Sequence, residues 1–322
     1  MDDLDIKDLK ILFELDKDSR QSLTGIAKKV RLSKEVVFHR INKLIGKGYI
    51  SRFQAVISVC RIGYQPYKIY LKLQDMTRES RREIQDYLLK RKEVYWIGNC
   101  QGKWDLILAV WARSVQEFSS IHDEILGKLG KNILDKEISS SHRTMQFNRR
   151  WFYSDNSKTV ETTFGEDLEK ASIDDADTHI IGELSKNSRI KIVDLSEKLK
   201  ISPQSLIYKM RQMEKKGIIA GYKISLDPKK MGYETCKAFI SLKNLTEKRK
   251  QELLSHCRFL KNAINVVMTA ARWDLEIEFE VKDFEQYYNI MESLKEDFSD
   301  IIKSYESVII VSEPKQIFMP GI

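Results

Sequence analysis

Four cysteines in 322 residues, Cys60, Cys100, Cys236 and Cys257, are too few and too widely spaced to form a CxxC pair or a disulfide framework. They read as small apolar residues in a reducing cytosol. The five histidines, His39, His122, His142, His179 and His256, are equally scattered, so the pattern supports no metal site. The sequence has no Gly-rich phosphate loop, no nucleophile elbow and no clustered His/Asp/Ser set, which leaves no catalytic residue and no cofactor to name. No apolar run reaches 18 residues, and the opening MDDLDIKD is acidic instead of basic then apolar. A cytoplasmic protein with no membrane partner is expected.

What is present is an ordinary globular composition, 42% hydrophobic and 32% charged, with a net charge of +8 and a pI near 9.0. The excess charge favours a polyanionic partner. Its densest placement on one element runs from Ser33 to Arg52, with five Lys or Arg against one acid. Within it, SKEVVFHRINKLIGKG has Ser33 as an N-cap, Val37, Ile41 and Leu44 as an inward stripe, and Gly48 as a stop. Lys34, Glu35, Phe38, His39, Arg40, Asn42 and Lys43 face outward, a set suited to phosphates and base edges of double-stranded DNA. A solvated helix face has a similar composition. Arg40 has a second reading, as a brace pairing with an acid of the scaffold.

Two helices precede this one, Leu4 to Asp16 and Ser22 to Val30, which together make a tri-helical helix-turn-helix. The turn calls for a residue at positive φ, and the position falls on Arg31, not on a glycine. Tyr49 to Ser58 is β-rich and serves as a wing or as the strand leading out. After Gly63-Tyr64 the pattern changes to strand 67–74, helix 78–90, strands 93–101 and 104–112 about Gly102-Lys103, helix 115–129 and strand 133–143. That order, βαββαβ, is a ferredoxin-like sandwich with one sheet face left to be covered.

The plan then repeats. Adding 169 carries Asp5 to Asp174, Asp8 to Asp177, Ser19-Arg20 to Ser188-Arg189, Ser33 to Ser202, Gly48 to Gly217, Gly63-Tyr64 to Gly232-Tyr233 and Trp104-Asp105 to Trp273-Asp274, with no gap. A constant offset over roughly a hundred residues marks an internal duplication. The expected fold is α+β: helix-turn-helix at 1–58, ferredoxin-like at 63–150, a polar linker at 151–171, helix-turn-helix at 172–227 and ferredoxin-like at 232–322. The second recognition helix has Ser202 as cap, Pro203 in its first turn, and Leu206, Met210 and Met213 inward. Its outward Gln204, Ser205, Tyr208, Lys209, Arg211 and Gln212 differ from the first set, while Ser202 to Lys223 again has five basic residues and one acid. Two helices that share phosphate binding and read different bases would diverge in this way.

Leu4-Asp5 with Asp8, Ile11-Leu12, Ser19-Arg20, Ile26-Ala27, Leu32-Ser33, Arg40-Ile41, Gly48 with Ile50, Gly63 and the turn Gly102-Lys103-Trp104-Asp105 together resemble the Lrp/AsnC family of transcription regulators, twice over. The resemblance implies that the β-rich domain pairs with its like, within or between chains, and can hold an amino acid or similar effector. Candidate effector residues are Gly98, Asn99, Gly102 and Asp105; Ala271 replaces the glycine in the second copy, so the first copy is expected to form the better site. Gly102 and Asp105 also suit a plain tight turn. Siroheme decarboxylases are a second resemblance, but their Arg-His pair is missing beside both Gly63-Tyr64 and Gly232-Tyr233. An architectural DNA-binding protein is a third alternative.

Overall fold

The computed structural model describes residues 4–153, 159–165 and 169–320. Its first copy runs α1 (Ile6–Lys17), α2 (Leu23–Val30), α3 (Lys34–Gly46), β1 (Ile50–Ile57), β2 (Gln65–Leu73), α4 (Arg78–Lys90), β3 (Val94–Gly102), β4 (Leu106–Ala112), α5 (Val115–Leu129) and β5 (Ile133–Phe147). A short β6 (Glu161–Phe164) follows. The second copy is α6 (Asp175–Lys186), α7 (Ile192–Leu199), α8 (Pro203–Lys215), β7 (Ile219–Leu226), β8 (Glu234–Leu242), α9 (Glu247–Phe259), β9 (Ala263–Ala270), β10 (Leu275–Val281), α10 (Phe284–Asp297) and β11 (Ile302–Gln316). Each of its elements begins 169 residues after its counterpart, so the duplication extends through the last strand.

The two copies complete each other. Strand β5 pairs with β2 of its own copy over Ile133–Ser140 and then with β9 of the other over Ser140–Gln146. Strand β11 does the same, with β8 and then with β3. The strand order β2-β4-β3-β11-β8-β10-β9-β5 closes on itself through the β2–β5 pairing. Both sheets thereby lose their open edges. The helices lie outside: Ile84, Leu88, Phe118, Ile121 and Ile125 cover Ile69, Leu71, Leu108 and Val110, and Leu253, Leu254, Tyr287, Met291 and Leu294 cover the second half. The face left bare by the sequence pattern becomes the interior of this ring, where Tyr70 meets Phe239 and Trp273 edge-on.

Strand β1 is no free wing. It pairs antiparallel with β7, Gln54 opposite Lys223, in a ribbon joining the two helix-turn-helix units. The described parts of the 151–171 stretch pack onto the domains where a polar linker is expected: Trp151 and Phe152 are buried and Trp151 stacks on Tyr233 at 3.8 Å, while β6 pairs with the end of β5. Residues 154–158 and 166–168 of that stretch lie outside the described residues. Of the cysteines, Cys100, Cys236 and Cys257 are buried as expected, but Cys60 is only half-buried.

Candidate nucleic-acid interface and effector cleft

Each recognition helix is built by local signals. Ser33 Oγ accepts from the Val36 N–H and Ser202 Oγ from the Ser205 N–H, so both helices start on a serine cap. The preceding turn is made by Arg31 and Lys200, both at φ 56°. That left-handed conformation costs a side-chain-bearing residue about 1 kcal/mol, and here the surrounding packing imposes it. Val37, Ile41 and Leu44, and Leu206, Met210 and Met213, are buried, each worth about 1.5–3 kcal/mol of transfer.

The opposite face is open. Lys34, Glu35, Phe38, His39, Asn42 and Lys43 are exposed on α3, as are Gln204, Ser205, Tyr208 and Arg211 on α8, with Gln212 half-buried. Arg40 is held otherwise. Its Nη1 donates to Asp5 at 2.8 Å and to buried Asp8 at 2.7 Å, both on the cap of α1. The hydrogen bonds it donates to Asp8 and Asp5 raise its pKa. Lys209 makes the same brace to Asp174 at 2.6 Å and Asp177 at 3.1 Å. The outward faces differ in apolar content as well: Val36 and Phe38 are exposed on the first, Ile207 and Tyr208 on the second.

The Ser-Arg pairs clasp the two units. Ser19 Oγ and Ser188 Oγ lie 2.8 Å apart, and these residues are equivalent positions, so the pseudo-twofold axis passes between them. Arg189 donates to the Ser19 and Gln21 carbonyls, and Arg20 to those of Ser188 and Ile190. The sequence displayed this motif but not its role, because neither copy alone contains the partner.

The effector candidates separate. Asn99 and Asp105 line a cleft of about 460 Å³ between α4, β3 and β4, with Gln85, Arg81 and the apolar Leu73, Met76, Ile84 and Leu88. Gly98 does not line that cleft and sits against the Trp96 indole, where an added Cβ would come within 2.4 Å of the ring. Gly102, at φ 127°, packs on the Ser307 carbonyl. Asp105 already accepts from the Leu73 N–H at 2.8 Å, and Asp274 accepts from the Leu242 N–H in the other copy at 2.7 Å. A bond made in both copies is scaffold. The polar groups special to the first cleft are Asn99, Gln85 and Gln101, whose equivalents are Met268, Leu254 and Ala270. Sequence reasoning missed Gln85 and Arg81, which lie on a helix with no motif to flag them.

Among the described residues no cluster of three or more His, Cys, Asp or Glu is placed to hold a metal. No helix among them is long and apolar enough to cross a membrane.

Comparison with known proteins finds a family described as winged helix-turn-helix DNA-binding matching at residues 4–51 and again at 173–220. The proline dehydrogenase transcriptional activator of Rhizobium radiobacter is 32% identical over 40% of this chain and 83% of its own length. Regulatory protein AsnC of Haemophilus influenzae is 22% identical over 44% of the chain and 94% of its own. Each therefore spans about one copy. Among solved structures, the siroheme decarboxylase NirDL superposes over 98% of this chain and 94% of its own, with a TM-score of 0.64 at 12% identity, a likeness of fold.

Proposed function

The chain belongs to the Lrp/AsnC family of winged helix-turn-helix transcription regulators, and from that premise we propose that it acts alone as a covalent pseudo-dimer reading an asymmetric DNA site. One observation carries the reading. A single chain has two recognition helices tied across one axis by the Ser19–Ser188 clasp, and their exposed faces carry different residues. A symmetric dimer reads a palindrome because its two helices are identical. Here Lys34, His39 and Lys43 face one half-site, and Gln204, Tyr208 and Arg211 the other. Phe38 and Val36 offer apolar contact to a thymine methyl on the first half, whereas the Gln204 amide suits an adenine edge on the second. Phosphate contacts set affinity, and each lost cation should reduce the salt slope by about 0.9.

We place a small-molecule effector in the cleft at Asn99 and Gln85, where two amides adjoin an apolar wall, a chemistry fitted to an amino acid with an apolar side chain. We read the chain as a regulator and not an enzyme. Its sequence relatives are regulators, and what it has in common with the decarboxylase is fold.

The test is selection of bound fragments from source DNA with purified protein at two salt concentrations. A motif with unlike halves is expected. A palindromic motif would refute the asymmetric reading, and salt-sensitive binding without a motif would favour the architectural one. If no DNA is retained at either salt, a Soret shift on adding a tetrapyrrole would turn the assignment to the enzyme.

A further inference from the structure

The ring's interior opens, beside the β1–β7 ribbon, into a cavity of about 130 Å³ separate from the effector cleft. Its two walls come from different copies and are chemically unlike. The first copy gives aromatic rings: Trp96, Trp111 and Tyr95, the last stacked on Trp111 at 4.2 Å and 11°. The second gives carboxylates, Glu278 and Glu313, beside a single ring, Phe318. At the equivalent positions these become Asn265, Glu280 and Ile264 for the first copy's rings, and Ala109 and Thr144 for the acids. The asymmetry is thus a property of the fused chain.

The charges leave a remainder. Lys68 and Lys237 also line the cavity, but Lys68 Nζ lies 2.5 Å from Glu276, and Lys237 Nζ lies 3.4 Å from Glu276 and 3.2 Å from Glu278. Burial would push Glu276 up, yet the two lysines hold it at about 2. Two ammoniums are therefore consumed by two carboxylates. Glu313 makes no ion pair among the described residues; it accepts a hydrogen bond from Trp96 Nε1. It keeps solvent access, while the protein packed around it, and then Glu278, push its carboxyl up to about 7. A further polar group points to an occupant. Ser141 Oγ, on a residue only 6% exposed, lines the cavity without a hydrogen-bond partner among the described residues, and so does the side-chain Oε1 of Gln146. Buried polar atoms left unmatched are uncommon and call for a ligand or water.

We propose that this cavity binds a small organic cation, a primary amine on a flat apolar body, with its ammonium on Glu313 and its body against Tyr95, Trp96 and Trp111. Ring faces attract cations through their quadrupoles, and Lys237 Nζ already stands 5.0 Å over the Trp96 ring. The unmatched carboxylate adds to that attraction. An anion of the same shape meets a site whose lysines are already spent.

Benzylamine, benzyl alcohol and benzoate share one shape and differ in charge, so the full-length protein is titrated with each by calorimetry and by tryptophan fluorescence. Benzylamine is expected to bind at least about tenfold more tightly than the other two. Glu313→Gln, whose amide oxygen can still accept from Trp96, should abolish that preference with an unchanged melting curve. Benzoate binding as tightly as benzylamine overturns the proposal. So does an absence of benzylamine binding to the unaltered protein, which needs no variant to observe, or an unchanged benzylamine affinity in Glu313→Gln.

Discussion

Arg149 is the place where one substitution separates the forces holding the first helix-turn-helix unit to the ring. Its Nη1 donates to Asp16 at 2.8 Å, its Nε and Nη2 to Glu280 at 2.8 Å, and Trp151 Nε1 donates to the same carboxylate. Asp16 and Glu280 are each 1% exposed. Replacing Arg149 with Leu strands two carboxylates out of water, and breaking a buried pair in this way costs about 3–5 kcal/mol. A local rescue exists: Lys223, buried and without a hydrogen-bond partner for its ammonium among the described residues, feels Asp16 electrostatically. It can shift toward that carboxylate and reduce the loss, so Arg149→Leu with Lys223→Gln should show the full cost. Removing all three charges in Asp16→Ser, Arg149→Leu, Glu280→Leu, on the Lys223→Gln background so that no buried ammonium is stranded, should recover at least about 2 kcal/mol, because apolar packing often replaces a buried ion pair at no loss. The molecule already contains that arrangement, with Ser185, Phe318 and Trp111 at the equivalent positions.

The assay is urea unfolding followed by tryptophan fluorescence, to which Trp151 contributes from within the cluster. Burial raises the Glu280 pKa even with Arg149 present, and removing the cation raises it further. A carboxyl raised in the folded state favours folding below its unfolded pKa, about 4.3, and loses that contribution as pH climbs through the folded value. The deficit of Arg149→Leu should therefore be larger at pH 8 than at pH 5. A loss under about 1 kcal/mol in the Arg149→Leu, Lys223→Gln protein, or removal of all three charges on the same background that is no better than that protein, would refute the reasoning.

Further outcomes are expected at the helices, the Gly102 turn and the clasp. Arg40→Ala should lower the stability of the first unit by about 1–3 kcal/mol, since Asp8 is left buried without its cation. Lys34→Ala and Lys43→Ala should leave stability unchanged and reduce only the salt slope of DNA binding; calorimetry and salt-dependent binding read the two effects apart. Gly102→Ala should cost about 1–3 kcal/mol, because its φ of 127° excludes a side chain and the added carbon would stand 2.7 Å from the Ser307 oxygen. Ala271→Gly, away from positive φ, should cost no more than about 1 kcal/mol by chemical denaturation. Removing both clasp arginines, Arg20→Ala with Arg189→Ala, should speed amide exchange at residues 19–21 and 188–190 while leaving exchange in the ring unchanged.

Much of this architecture was legible because its signals are local. Ser33 caps α3 as read, Val37, Ile41 and Leu44 face inward, and Arg31 takes the left-handed turn for which the sequence offered no glycine. The 169-residue offset exposed the duplication, and the βαββαβ order followed from alternating periods. Illegible features were those whose meaning depends on a distant partner. Leu275-Glu-Ile-Glu-Phe-Glu-Val281 alternates like a strand with one face in water. Glu276 and Glu280 are nonetheless buried, the first paired with Lys68 and Lys237 and the second with Arg149, and Lys68 and Arg149 stand 208 and 131 residues away from their acids. The alternation gives the two faces but not which one the closed ring will enclose. Arg40 was legible as cationic and as helical, yet its commitment to Asp5 and Asp8 required the packing angle of α1 on α3. For the site the limit is the same, since Asn99 carried no sign that Gln85 would stand beside it.

Fusion explains why the interior took this form. In a homodimer each substitution on the inner wall arises twice, related by the axis, so a Glu at the position of Glu278 would be accompanied by one at the position of Ala109. Four acids at Glu276, Glu278, Glu280 and Glu313 would become eight around the interior, against two copies of Arg149 and the same pair Lys68 and Lys237. Desolvating that many like charges would cost several kcal/mol for each unmatched ion. Once the copies are joined in one chain, the second can gather the carboxylates while the first keeps Tyr70, Tyr95, Trp96 and Trp111 to surround them. The same freedom acts on α3 and α8, whose braces Arg40 and Lys209 stay equivalent while the residues around them diverge. The bonds made in both copies, from Arg40 and Lys209 to their caps and from Leu73 and Leu242 to Asp105 and Asp274, are those that divergence has left in place.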